Sequence, residues 1–211
     1  MKVTKFEHAC LVITEGEHVL IIDPGSFTTP MGDIPGVVAV VITHEHADHW
    51  TDAQLERIQT LNPRVRILGP AGVTAAASGF TIESIAGGDS RDIGPFHLEF
   101  FGEKHALIHS SIPQVDNVGV FVNSTLYYPG DSFTVPEVTV DTLAVPTSAP
   151  WLKLGEAMDF VAAVKPKRSF PTHEMLLSVI GKSIANGRIE AMTAANGGQF
   201  HVLEPGDSLD L

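Results

Sequence analysis

Six consecutive apolar residues, Val37 to Ile42, run straight into Thr43-His44-Glu45-His46-Ala47-Asp48-His49-Trp50. The apolar run is β-branched except at Ala39, which predicts a strand buried on both faces, as in a sheet covered by helices. Four potential metal ligands follow within six positions. His44 and His46 are two apart, so extended backbone places both imidazoles on one side. Asp48 and His49 come after the chain begins to turn and face the same space from another direction. Crowded histidines gain nothing without a metal, since several protonating together would repel. Neutral imidazole with carboxylate suits zinc, iron or manganese. One catalytic ion needs three ligands, and a run offering four makes a two-metal centre the expectation if further ligands arrive from elsewhere.

They are available after later strands. His105 ends a strand in Gly102-Glu-Lys-His105, Asp131 sits in Tyr128-Pro-Gly-Asp131-Ser, and His173 lies in Phe170-Pro-Thr-His173-Glu. Strand-to-loop junctions at one sheet edge are where α/β sites collect. His109 competes with His105; we take His105 as the ligand because it closes a strand, leaving His109 an orienting or substrate-facing role. The histidines at 8, 18, 97 and 201 sit in strand-like segments and read as surface or structural.

The surrounding pattern alternates strands and helices. Strands are expected at 3–6, 10–14, 18–22, 65–68, 81–85, 96–103, 141–145, 168–171 and 199–203, with a hairpin over 117–122 and 125–128. Thr51-Asp-Ala-Gln54 fits a capping box, opening a helix that Asn62-Pro63 ends. Further helices are expected near 71–78 and 155–165, with one or two between 175 and 195. Strand-Pro-Gly-Ser at 19–26 is echoed by strand-Pro-Gly-Asp-Ser at 125–132 and by a third Pro-Gly-Asp-Ser at 205–208. Two similar halves would produce the first pair, and so would plain turn chemistry.

Composition narrows the class. At 211 residues, one domain over 1–211 is the simplest reading. A net charge of −12 argues against a nucleic-acid footprint. No apolar run approaches the ~20 residues of a membrane helix. Cys10 is the single cysteine, so neither an intramolecular disulfide nor a Cys-rich zinc site is available. The opening MKVTKFEHAC has no basic segment feeding an apolar stretch, and a cytoplasmic location is expected. A homo-oligomer is left open.

The run Thr-His-x-His-x-Asp-His at 43–49, followed in order by His105, Asp131 and His173, resembles the metallo-β-lactamase superfamily. The likeness covers the whole chain, with Asp23-Pro-Gly, Tyr-Pro-Gly-Asp-Ser and Pro-Thr-His in sequence. Among its branches the chain looks most similar to small stand-alone hydrolases of the L-ascorbate-6-phosphate lactonase kind. The resemblance implies an α/β fold, an αββα sandwich of two facing mixed sheets with helices outside. It implies two divalent ions, zinc first with manganese or iron as alternatives. His44, His46 and His105 would hold one ion, Asp48, His49 and His173 the other, and Asp131 would bridge them. Asp23 would orient ligands from behind. The chemistry implied is hydrolysis of a small soluble ester, lactone or phosphoester by a bridging hydroxide, with Asp48 passing the proton. Two divalent ions outweigh Asp48 and Asp131, so the mouth can draw an anionic substrate despite the acidic chain. Trp50, Phe133, Trp151 and Lys153 are candidates for substrate contact. The alternatives are a phosphodiesterase or phospholipase acting on a larger lipid or nucleotide, and a metal-bearing sensor or scaffold without turnover.

Overall fold

The run at 37–42 becomes a central strand of the first of two sheets, in a computed structural model that describes residues 1–211. That sheet contains β1 (Lys2–Lys5), β2 (Leu11–Glu15), β3 (His18–Ile22), β4 (Val37–Val41), β5 (Arg66–Gly69) and β6 (Ile82–Ser84). The second contains β7 (Ser90–Ile93), β8 (Phe96–Phe101), β9 (Gly119–Val122), β10 (Leu126–Tyr128), β11 (Thr142–Pro146), β12 (Arg168–Thr172) and β13 (Gln199–Phe200). A last strand, β14 (Ser208–Asp210), returns to the first sheet and pairs antiparallel with β1.

Each sheet changes character halfway across. β1, β2 and β3 are antiparallel neighbours, and β3 to β6 run parallel. β7 to β10 are antiparallel, and β10 to β13 run parallel. The echoed turns fall at matching places in this scheme. Asp23 follows β3 and Asp131 follows β10, each the strand where antiparallel pairing gives way to parallel. The third Pro-Gly-Asp-Ser is the turn into β14.

Three apolar clusters define four layers. The largest joins the inner faces of both sheets, with Leu11, Ile13, Leu20, Ile22 and Val41 against Phe96, Phe100, Val120, Tyr128 and Phe170. The outer face of the first sheet packs Val40, Ile42 and Ile67 against Leu55 and Ile58 of α1 (Asp52–Leu61) and Val73 of α2 (Ala71–Ala76). The outer face of the second packs Leu143 and Val145 against Ala157, Phe160 and Val161 of α3 (Leu154–Val164) and Ile189 of α4 (Val179–Ala195). Each such fully buried aliphatic or aromatic side chain stabilises by roughly 1.5–3 kcal/mol before the entropy of ordering is subtracted. The result is the αββα sandwich.

Three segments differ from the expectation. β7 and β14 were not expected, and both are short, polar edge strands without an apolar alternation to mark them. The strand expected over 199–203 shrinks to two residues. The capping box at Thr51 is half made: Thr51 Oγ1 accepts the Gln54 N–H at 3.2 Å, but the Gln54 side chain turns away. It donates to the carbonyls of Thr28 and Thr29 and accepts from Met31 N–H at 2.8 Å, holding the loop after β3 in place. No helix is long and apolar enough to cross a membrane.

Candidate metal centre

Four loops meet at one edge of the sandwich. Residues 43–49 follow β4, His105 follows β8, Asp131 follows β10, and His173 follows β12. Small residues let these loops approach. A Cβ on Gly25 would lie 1.8 Å from the Asp48 carbonyl oxygen, so only glycine lets the 23–25 turn lie against the 46–49 loop. Gly130 takes φ +63°, and a Cβ there would sit 2.4 Å from Asn117 Oδ1. That same Asn117 Oδ1 accepts the Asp131 N–H at 3.0 Å and sets the carboxylate's starting point.

The side chains form two adjoining groups. His44, His46 and His105 make one, with ring centroids 4.7–4.9 Å apart. Asp48, His49 and His173 lie in the other. Asp131 stands between them: its Oδ2 is 3.3 Å from His105 Nε2, and its Oδ1 is 3.3 Å from His49 Nε2 and 3.2 Å from His173 Nε2. Asp48 Oδ2 lies 3.5 Å from His173 Nε2 and 4.0 Å from His49 Nε2. Such separations are what donors ~2.0–2.2 Å from a common ion would show.

Most rings are held from behind. His49 Nδ1 donates to Asp23 Oδ2 at 2.7 Å, and Asp23 also accepts from the N–H (2.8 Å) and hydroxyl (2.7 Å) of Thr43. His105 Nδ1 donates to the Ala106 carbonyl and His173 Nδ1 to the Ser148 carbonyl, both at 2.5 Å. His44 Nδ1 meets Thr43 Oγ1 at 3.1 Å. These anchors fix the tautomers and aim the Nε2 lone pairs inward. The inward atoms His49 Nε2, His105 Nε2, His173 Nε2 and Asp131 Oδ1 are buried and have no hydrogen-bond partner. Buried polar atoms are ordinarily paired, so four convergent orphans of metal-ligand type fit divalent ions.

Electrostatics point the same way. Burial alone would raise the Asp131 pKa, but His173 and His49 hold it well below the usual carboxylate range. Asp48 behaves alike: burial raises it, and His173, 3.5 Å away, with the hydrogen bond from His8 brings it below the normal range. Burial pulls the imidazoles down, yet Asp131 lifts His173 to about 9, and Asp131 with Asp23 lifts His49 well above its ordinary value. On the other side, burial and the neighbouring His49 push His44 well down, and burial and His105 lower His46. With protein groups alone, the carboxylates draw protons onto rings whose lone pairs are aimed inward. Divalent cations supply that positive charge and use the lone pairs as well.

Of the two histidines weighed for one position, only His105 reaches the cluster. It is buried, whereas His109 is exposed with its Nδ1 2.7 Å from Ser111 Oγ. His105→Ala should therefore lower bound metal measured by elemental analysis, and His109→Ala should leave it unchanged; the reverse result exchanges their roles. Trp50 and Trp151 are turned inward rather than presented to a substrate. Trp50 Nε1 donates to the Glu45 carbonyl at 3.1 Å, and Trp151 Nε1 donates to Asp131 Oδ2 at 2.8 Å. Phe133 packs on Trp151, and Lys153 points to solvent beside Glu156. His18 and His97 are exposed and His201 half-buried, but His8 is fully buried and joins Asp48, His49 and His173. Nothing local in Glu7-His8-Ala9 signals this, because the contact is made by packing.

A model of the beta-lactamase superfamily domain matches residues 2–173. Protein Rv0786c of Mycobacterium tuberculosis (strain ATCC 25618 / H37Rv) is 34% identical over 208 residues, covering 96% of each chain. The chain belongs to the metallo-β-lactamase superfamily. Solved structures share the fold at lower identity. The metallo-beta-lactamase fold protein YhfI from Bacillus subtilis is 18% identical with a TM-score of 0.75, over 99% of this chain and 98% of its own. Igni18, a metallo hydrolase from Ignicoccus hospitalis, is 17% identical with a TM-score of 0.74, over 100% of this chain and 98% of its own. CmlA, a diiron beta-hydroxylase from Streptomyces venezuelae, is 13% identical with a TM-score of 0.75, over 100% of this chain and 54% of CmlA.

Proposed function

We propose that this chain is a metal-dependent hydrolase with a two-metal centre, acting on a small soluble ester, lactone or phosphoester. His44, His46 and His105 would hold one ion, and Asp48, His49 and His173 the other, with Asp131 shared. The observation that carries the reading is the set of buried, unpartnered donor atoms converging from four loops. Divalent ions bound there would lower the pKa of a water and polarise the carbonyl or phosphoryl group it attacks. The chain's own residues do the rest. Asp23, Ser148 and the Ala106 carbonyl keep the rings oriented, and Trp151 fixes one oxygen of Asp131. Asp48 is the more exposed of the two carboxylates, which suits it to carry a proton from the attacking water to the leaving atom.

A hydrolase acting on a larger lipid is the second reading, and one observation favours it. Just beyond His173, Met175, Leu176, Val179 and Ile180 are exposed apolar residues at the start of α4. An apolar-tailed substrate would find a surface there.

Elemental analysis of the purified protein, followed by short- and long-chain esters, lactones and phosphoesters, tests both. We expect two divalent ions per chain and turnover of the short substrates; preference for long chains would favour the lipid reading. Fully metallated protein inert across the panel would make it a sensor or scaffold.

A further inference from the structure

The turn between β1 and β2 sets His8 beneath Asp48, with its Nε2 3.2 Å from Asp48 Oδ2 and its side chain fully buried. The backbone there is left-handed, at φ +61°, as it is at His173, at φ +59°. The two residues are joined directly. His173 N–H donates to the His8 carbonyl at 2.8 Å, and the ring centroids lie 3.8 Å apart. Phe27 closes the other side of the His8 ring at 4.8 Å. Left-handed conformations are costly for ordinary residues and persist where the surroundings impose them.

His8 lies within ligand distance of Asp48, His49 and His173, so proximity alone would make it a fourth donor to that ion. Its hydrogen bonding says otherwise. In His44, His49, His105 and His173 it is Nδ1 that is tied back and Nε2 that faces inward. In His8 the pattern is inverted: Nδ1 is buried with no partner, and Nε2 is the atom engaged. A neutral imidazole carries one N–H. On Nδ1, that proton would be a buried donor without an acceptor, and two lone pairs would face each other across the Asp48 contact. On Nε2, it makes a hydrogen bond to a carboxylate. A nitrogen that bears a proton does not bind a metal.

We propose that His8 is a positioning residue: its Nε2–H fixes the Asp48 carboxylate and its carbonyl fixes His173, which sets the geometry of the second metal position. The inference rests on the reading of Asp48 and His173 as metal ligands. A carboxylate oxygen has room for both an N–H and an ion, so the bond to His8 leaves Asp48 competent to ligate. Partners of this kind are typically worth 10–100-fold in metal affinity.

The test compares His8→Phe with His8→Gln by titration with zinc. Phenylalanine keeps a ring against His173 and Phe27 but donates nothing. The glutamine amide places an N–H near the position of Nε2 and lacks an imidazole ligand. We expect His8→Phe to weaken the second zinc by about 10–100-fold and leave the first, and His8→Gln to stay within a few-fold of the unsubstituted protein. Loss of the second zinc in both variants would make His8 a ligand and overturn the proposal; retention in both would leave it without a role. Nitrogen-15 NMR of histidine-labelled unsubstituted protein supplies a readout that does not depend on the variants folding. A proton on His8 Nε2, before and after zinc, is the expected result, and a proton on Nδ1 overturns it. Unsubstituted protein that takes up neither zinc, manganese nor iron would defeat the proposed function, while the NMR result would still decide the His8–Asp48 bond.

Discussion

Asp131→Asn is expected to abolish turnover, with a fall of about 1,000-fold or more. Asp131 is the one side chain whose two oxygens face both ligand groups. An asparagine can offer an oxygen to one side, but its amide then points N–H groups at the other. Oriented to serve His49 and His173, it would also set its amide against the Trp151 N–H, two donors at the place where Asp131 Oδ2 now accepts. In the proposed two-metal centre, removing one negative charge from between the ions would leave their repulsion less balanced. Metal catalysis contributes several kcal/mol to such reactions, and each 1.36 kcal/mol is tenfold in rate. The fold should persist, because the Asp131 N–H stays bonded to Asn117 Oδ1. Turnover, metal content and circular dichroism measured together check this. An asparagine variant with full metal and full rate would remove Asp131 from the shared position.

Chelation should lower the melting temperature by roughly 8–16 °C for each ion removed. An ion that binds only the folded chain stabilises it by about 4 kcal/mol when free ion exceeds Kd by about 1,000-fold. For a chain of this length, each 1 kcal/mol shifts the midpoint by roughly 2–4 °C. The effect is expected to be large because the donors come from both sheets: residues 43–49 follow β4 of the first, and His105, Asp131 and His173 follow strands of the second. Scanning calorimetry of chelated and zinc-reloaded protein gives the difference. Equal midpoints with zinc bound would mean that the ion does not tie the two sheets together.

Legibility in the sequence followed how local each cause is. Residues 44–49 stand out because one short run supplies histidines and a carboxylate directly after a buried strand. Asp131 and His173 are recognisable once that run is noticed, since each follows an apolar strand. His8 could not be found this way. Its neighbours in space are Asp48 and His173, and its role depends on a left-handed turn that no glycine announces. Trp151 is a candidate substrate contact in sequence, from its place in a proline-rich loop after a strand; its indole N–H is in fact committed to Asp131. The interior strands are legible because their apolar patterning comes from packing on both faces, whereas the sandwich of two facing sheets is what the family resemblance implies. β7 and β14 lie at sheet edges, where that patterning is not required.

The matching turns at Asp23 and Asp131 carry a further meaning for the order of synthesis. The 44–49 run leaves the ribosome early, but the carboxylate between the groups comes at position 131 and the last of the clustered histidines at 173. A nascent chain that has made only β1 to β6 has Asp23 and residues 44–49 but neither Asp131 nor His173. The full set of candidate donors therefore exists only once the second half of the polypeptide has been made.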